Sequence, residues 1–342
     1  MESAIGTVPT VIDTDFWRGR RVLVTGGHGF VGGALLRELE ARGADGVVAP
    51  PSAEYDLTDP VDVVRCFADV EPELVVHLAA RVGGIGANLE RPAEMYLSNL
   101  LMGTYVIEEA RRRSTPKTVV VGTICSYPKH TPVPFREASL WDGYPEETNA
   151  PFGIAKRALL VHAQANRSQY GQNVVYVMPT NLYGPGDKFS PAVSHVIPAL
   201  VKKFVEARER GDAEVVVWGT GTATREFLFV EDAARGIALA AERYDAGEPM
   251  NLGSGEETPI KQLATLIAEA VGFEGDLVWD TTKPDGQPRR RLDSSFAAER
   301  IGFAARTSFR DGLTRTIEWY LEHRAEAEAR AASALAQAFG QG

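Results

Sequence analysis

The chain has 342 residues, 44% of them hydrophobic and 24% charged, enough to bury a large core in one large or two medium domains. Its formal net charge of -10 argues against a nucleic-acid or membrane-surface role, so an anionic ligand needs a local cluster of basic side chains. There are two cysteines, Cys66 and Cys125, no apolar run of membrane-spanning length and no basic-then-apolar start, which reads as a soluble, cytoplasmic protein without a disulfide framework.

Residues 1–19 read as a leader. Arg21 to Thr25 is a β-branched run of buried-strand character, followed at once by Gly26-Gly27-His28-Gly29-Phe30-Val31-Gly32 and a helical pattern from Gly33 to about Arg42. Glycines at 26, 29 and 32 between strand and helix form a dinucleotide fingerprint, because they permit a tight turn and close approach of backbone to a pyrophosphate at the helix N-terminus. A plain tight turn is the bland alternative. The second strand, Gly46 to Ala49, ends in Pro50-Pro51-Ser52, which offers neither the acidic residue that suits an NAD ribose nor the Arg that suits an NADP phosphate. Asp56-Leu57-Thr58-Asp59 leads into a helix near 60–70, where Cys66 reads as a small buried hydrophobe. Leu74 to Ala80 is another buried strand, and the strand–helix alternation predicts an α/β fold, a Rossmann-type doubly wound parallel sheet.

Arg81 to Gly86 reads as a flexible loop before a helix over 95–113 that contains Asn99. A strand over 118–122 delivers Thr123-Ile124-Cys125-Ser126-Tyr127-Pro128 at its C-terminal end, where such sheets place ligands. Glu147 to Lys156 opens a helix over 151–170, with Asn149 able to serve as N-cap and Pro151 in the first turn. Phe152 and Lys156, four apart, share a face. A strand follows over 173–178. Beyond the turn-rich exit from Pro179 to Asp187 the alternation weakens. A helix follows Ser194-His195-Val196-Ile197-Pro198, then a strand over 215–218, a loop from Gly219 to Phe227, a helix over 230–244 and a return to the core at 251–253. Two helices and a loop at 283–289 are expected between 258 and 322, and the Ala- and Glu-rich end, 324–339, reads as an exposed helix or tail.

Several segments are particular. Ala79-Ala80-Arg81-Val82-Gly83-Gly84-Ile85, Cys125-Ser126-Tyr127-Pro128-Lys129 and Met178-Pro179-Thr180-Asn181-Leu182-Tyr183-Gly184-Pro185 are followed by Ser194-His195-Val196-Ile197-Pro198-Ala199-Leu200, Val217-Trp218-Gly219, Arg225-Glu226-Phe227-Leu228 and Lys283-Pro284-Asp285-Gly286. In this order, from about residue 20 to 322, they resemble the GDP-L-fucose synthase family of extended short-chain dehydrogenase/reductases, the 3,5-epimerase/4-reductases of a GDP-4-keto-6-deoxy sugar. The resemblance implies proton transfer at C3 and C5 by Cys125 and His195, a hydrogen bond from Thr123 to the C4 oxygen, and orientation of the nicotinamide ribose by Lys156. It implies cofactor contacts from Gly26, Gly29, Phe30, Val31, Gly32, Asp56, Leu57, Ala79, Ala80, Asn99, Lys156, Pro179 and His195. Nucleotide-sugar contacts are implied from Asn181, Lys203, Trp218, Arg225 and Lys283, with no metal. The cofactor expected from the family is NADP, with NAD also open, and a homodimer is expected through helices near 95–113 and 151–170. The implied division is a dinucleotide-binding domain (20–185 and about 225–255), a smaller C-terminal α/β domain for the nucleotide sugar (about 186–224 and 256–322) and a helical tail (323–342).

The chemistry stands on its own terms. A 4-keto group acidifies the protons at C3 and C5, and a thiol and an imidazole both titrate near neutral pH. The bland readings are a structural Cys at a strand end, a capping or packing His195, and solvated charges at Lys203 and Arg225. Two departures from the family pattern matter. Phe152 stands where the superfamily has a catalytic Tyr, leaving three accounts: an introduced Tyr-to-Phe change, an enzyme that has given up reduction and kept proton chemistry, or another phenol, Tyr127 or Tyr144, as the acid. His28 and the Pro50–Ser52 stretch lack the phosphate-binding Arg. The classes left open are an epimerase/reductase on a GDP-4-keto-hexose, an epimerase on another NDP-sugar, and an inactive nucleotide-sugar-binding protein.

Overall fold

The structure, a computed structural model, describes residues 14–190, 194–283 and 285–339. Of the expected leader, residues 1–13 lie outside the described residues. Helix α1 (Thr14–Trp17) anchors the chain ahead of the first strand: Trp17 is fully buried and its indole N–H donates to Glu242 Oε1 at 2.5 Å.

Strands β1 (Val22–Thr25), β2 (Val47–Val48), β3 (Leu74–His77), β4 (Lys117–Val121), β5 (Val174–Pro179) and, further on, β9 (Met250–Leu252) form one parallel sheet in the order β2-β1-β3-β4-β5-β9. β1 and β3 are buried at every position, as near-continuous apolar runs covered on both faces require. β2 is short because Pro50 and Pro51 cannot donate to a ladder. Helices α2 (Phe30–Ala41) and α8 (Val230–Arg243) cover one face, where Leu35, Leu39, Ala233 and Ile237 meet Val22, Val24 and Val76. Helices α3 (Pro60–Val70), α5 (Pro92–Arg112) and α6 (Ala150–Tyr170) cover the other, with Cys66 among the apolar side chains as expected. A short α4 (Ile85–Glu90) shortens the expected loop at 81–86 to its first four residues.

The rest of the chain builds on the C-terminal side of this sheet. Strands β6 (Asn181–Tyr183), β8 (Thr224–Phe229), β10 (Glu257–Pro259) and β12 (Arg289–Arg290) make a small mixed sheet centred on β8, while β7 (Glu214–Trp218) pairs in parallel with β11 (Asp276–Asp280). Helices α7 (Val196–Arg210), α9 (Ile260–Val271) and α11 (Phe309–Glu322) enclose a second apolar cluster around Phe204, Val217, Ile267 and Ile317. α10 (Ser295–Ile301) packs back against the first core. Two expectations change here. The stretch expected as a loop at 219–227 becomes strand from Thr224, and 258–322 holds three helices and two complete strands, besides most of β10, rather than two helices and a loop. In both places, order comes from pairing with partners far away in sequence, so a local pattern carries no sign of it. The tail forms α12 (Arg324–Phe339); it is docked, with Ala327 and Ala331 buried and Arg330 Nη1 donating to the Gly186 carbonyl at 3.2 Å.

Candidate active site

The turn from β1 into α2 is shaped as a cradle. Gly26 has φ +74°, and the Gly29 N–H donates to its carbonyl at 3.0 Å. A Cβ at Gly32 would fall inside contact with the Gly26 carbonyl, and one at Gly26 would lie 2.8 Å from the Ala79 nitrogen. The helix therefore begins at Phe30, inside the glycine motif, with Gly29 as a cap that supplies no side chain to its free N–H groups. An open helix N-terminus of this kind suits the pyrophosphate of a dinucleotide. Ala79 and Ala80 follow β3 beside this turn, and Pro179 ends β5. Two of the expected contact residues, Asn99 and Asp56, are also hydrogen-bonded within the protein. Asn99 is buried and its amide holds the Arg81 backbone, accepting from its N–H (3.1 Å) and donating to its carbonyl (2.9 Å) and to the Met95 carbonyl (2.7 Å). The Asp56 carboxylate accepts from the Thr58 N–H and hydroxyl at 2.8 and 2.7 Å, so Asp56 and Leu57 lie on the approach to α3.

The helix α6 brings Phe152 and Lys156 to the end of β4. Lys156 is 2% exposed; its ammonium donates to the Val121 carbonyl at 3.0 Å, and burial pushes its pKa down to about 8. Tyr176 donates to the Lys156 carbonyl at 2.7 Å, fixing the backbone. Asn149 occupies the N-cap position without capping through its side chain, which donates instead to Glu146 Oε2 at 3.0 Å. Phe152 has no hydroxyl, and Tyr127 is a poor substitute: its hydroxyl is buried, donates to Asn251 Oδ1 at 2.8 Å, and is pushed far above its ordinary pKa by burial and the nearby Glu137. Tyr144 is mostly exposed, outside the packed core. Tyr127 is therefore a structural phenol, its proton engaged by Asn251, and does not take the place of the missing acid.

Thr123 starts a single 3₁₀ turn and its hydroxyl oxygen accepts from the Cys125 N–H at 3.2 Å, which leaves the hydroxyl proton available to a ligand. Three contacts fasten this turn to α6: a Ser126 hydroxyl donating to the Gly153 carbonyl (3.1 Å), Arg157 Nε donating to the Ser126 carbonyl (2.6 Å), and Gly153, where a Cβ would strike the Cys125 carbonyl. Across the cleft, His195 is the N-cap of α7 and open to the cleft, yet the surrounding protein desolvates the ring and, with Lys188 and Arg290 adding positive charge, pushes its pKa down. Ser194 holds this corner, accepting from the Ser190 N–H at 2.6 Å and donating to the Lys188 carbonyl. Arg290 Nη1 lies 3.7 Å from the Cys125 sulfur. One guanidinium therefore stands beside the thiol and within electrostatic reach of the imidazole.

The remaining expected residues form a wall. Trp218 ends β7 with its ring exposed, and Lys283 Nζ lies 5.4 Å from the ring centroid. Arg225 donates to the Gln287 carbonyl at 2.6 Å and the Asp285 carbonyl at 3.0 Å, and burial, then Arg290, pushes its pKa down to about 10. Asp285 in turn accepts from the Thr220 N–H and hydroxyl, both at 2.7 Å. Lys203 is turned to the Val216 carbonyl and Asn181 donates to the Glu226 carbonyl at 2.9 Å, so both serve the wall's backbone in this structure. Pro284 lies outside the described residues.

The profile of the NAD dependent epimerase/dehydratase family matches residues 22–253. The chain belongs to that family. GDP-L-fucose synthase 1 of Arabidopsis thaliana is 44% identical over 90% of this chain and 94% of its own length. GDP-L-fucose synthase of Escherichia coli K12 is 40% identical over 89% and 97%. A solved GDP-L-fucose synthetase from Naegleria fowleri bound to NADP superposes with a TM-score of 0.82 at 29% identity, covering 90% of this chain and 95% of that one. The protein is an NAD(P)-dependent nucleotide-sugar epimerase/reductase of the GDP-L-fucose synthase kind, on a Rossmann-type fold.

In this epimerase/reductase, sequence reading passed over Arg290 and Lys188. Arg290 sits in an Arg-Arg-Arg run, which looks like surface charge until β12 pairs with β8 and sets it opposite Arg225. Lys188 lies in a turn-rich stretch whose only sequence signal was its closeness to His195.

Proposed function

We propose that this protein epimerises a GDP-4-keto-6-deoxy-hexose at C3 and C5 and reduces C4 with NADPH, and that Phe152 slows the reduction. The observation that carries the reading is Cys125 and His195 set around one guanidinium, next to a dinucleotide cradle. Cys125 as thiolate takes the proton from C3 or C5, the C–H electron pair enters the enolate, and negative charge grows on the C4 oxygen. Thr123 donates a hydrogen bond from its hydroxyl to that oxygen and keeps its proton. His195 returns a proton to the opposite face, which requires the imidazolium; a bound diphosphate favours it by offsetting Lys188 and Arg290. The cofactor, when bound, would supply a hydride to C4, and the proton that completes the hydroxyl would come from solvent water, because Phe152 has none to give. Gly26, Gly29 and the N–H groups at the start of α2 would hold its pyrophosphate, and Lys156 its ribose. Arg225 and Lys283 would hold the GDP diphosphate, with Trp218 beside the base. The NADP-bound solved relative favours NADP, with His28 the basic residue in the glycine turn. Exposed Leu97 on α5 and Val161 on α6 support a homodimer through these helices, and the protein is read as cytoplasmic. Among the described residues no helix is long and apolar enough to cross a membrane.

Deuterium uptake from heavy water into a GDP-4-keto-6-deoxy sugar tests this directly. Uptake at C3 and C5 by the wild type, lost in Cys125→Ser with sugar-nucleotide binding retained, is the expected result. No uptake under any cofactor condition would sink the epimerase reading in favour of a binding protein. Phe152→Tyr should raise NADPH oxidation by at least ~10²-fold, the scale of one donor to a developing oxyanion; an unchanged rate rejects Phe152 as the cause of slow reduction.

A further inference from the structure

β12 is two residues long, pairs with β8 and carries Arg290 to Cys125, just beyond the end of β4. The side chain is 8% exposed and held along its length: Nε donates to Gln287 Oε1 at 3.1 Å, and Gln287 Nε2 donates to the Lys129 carbonyl at 2.7 Å. The neighbouring backbone is pinned as well, with the Phe135 N–H donating to the Arg291 carbonyl at 2.7 Å. Among the described residues no carboxylate forms an ion pair with it; what its Nη1 meets is the Cys125 sulfur. A buried cation normally has an anionic partner, and among the described residues the ionisable group that its Nη1 meets is the thiol.

We propose that Arg290 is the positioning residue that makes Cys125 the base of the proton-transfer pair, donating a charge-assisted hydrogen bond to the sulfur and stabilising it as thiolate. A guanidinium keeps its own proton in a protein, so Arg290 cannot be the acid or the base. It acts through sulfur, and the thiolate rather than the thiol is the nucleophile and base. The planar fork matters too. With Nε fixed by Gln287, Nη1 has one direction left, and that direction aims the sulfur. The inference rests on the proposed epimerase chemistry for its consequence in turnover, though not for its effect on the thiol.

The test is alkylation of Cys125 by iodoacetamide in the substrate-free protein, followed by mass spectrometry of the Cys125 peptide; Cys66, the other thiol, is buried. Arg290→Met should slow alkylation by about tenfold or more, because a lost charge-assisted bond removes thiolate, and Arg290→Lys should recover much of the rate. Deuterium exchange should fall by a similar factor in kcat, with a smaller change in KM. A strut of the fold would give the opposite sign, since loosening the cleft exposes the thiol and speeds alkylation. Alkylation of R290M as fast as wild type, or faster, overturns the proposal. Should R290M not fold, Gln287→Leu decides: it frees the guanidinium without removing it, so slower alkylation supports the assignment and an unchanged rate rejects it. A wild type that takes up no deuterium sinks the functional reading alone, because the alkylation comparison needs no substrate.

Discussion

Asp187 shows how a single carboxyl beside the cleft is tuned by its surroundings. It is 5% exposed, one oxygen accepts from the Lys188 N–H at 2.7 Å, and the other is buried without a partner among the described residues. Burial pushes its pKa up to about 7 from an ordinary 3.8. A raised folded-state pKa means that the protonated form is favoured on folding. Its contribution is therefore fully present below about pH 4 and lost as pH rises towards 7, amounting at most to a few kcal/mol. Asp187→Asn keeps the acceptor and cannot ionise. Thermal unfolding should show the variant gaining stability over wild type at pH 8 and gaining little or nothing at pH 4.5. An equal difference at both values would mean that the carboxyl is better solvated than its burial implies.

At the scale of elements, the site depends on how closely α6 approaches the 3₁₀ turn that carries Cys125. Gly153 is the contact point, and a methyl group there must displace the Cys125 carbonyl or the helix. Gly153→Ala should destabilise the fold by about 1–3 kcal/mol, the usual scale of overpacking, even though Ala is the better helix former. It should also lower deuterium exchange beyond the loss of folded protein, measured at a temperature where both proteins are folded. Unchanged exchange would show that the turn moves with the helix. This close approach also marks what the sequence made legible. The glycine turn, the helix that carries Lys156 and the alternating strands of the parallel sheet announce themselves by local pattern, and the motif segments hold Cys125 and His195 in chain order. β8 did not. Thr224-Arg225-Glu226 reads as loop because its stability comes from three partner strands and from Glu226, whose buried carboxylate accepts from the Gly255 N–H (2.7 Å) and the Leu292 N–H (2.8 Å). Arg290 was hidden for the same reason: its meaning is set by the strand it lands beside.

For the whole molecule, we infer two ligand sites that meet at the cleft and are separable in energy. The dinucleotide cradle belongs to the parallel sheet. The wall of Trp218, Lys283 and Arg225 belongs to β7, to β8 and to Lys283 with the stretch 285–287, which is tied to Thr220 through Asp285. The two layers are sutured where the segment after β12 returns to the first, with the Asp293 N–H donating to the Phe135 carbonyl at 2.8 Å and Asn251 Nδ2 donating to the same carbonyl at 3.0 Å. A ligand that binds only the folded state stabilises it by roughly 2.7 kcal/mol at a hundred times its Kd, so each site can be read from the melting temperature. Trp218 has most of its ring exposed, and replacing it should leave the fold intact. Trp218→Ala should abolish most of the upward Tm shift given by GDP and leave the shift given by NADPH as in wild type. Loss of both shifts would show that the sites form one unit that orders together. A GDP shift that survives the substitution would move the base away from Trp218 and leave Arg225 and Lys283 as the anchors.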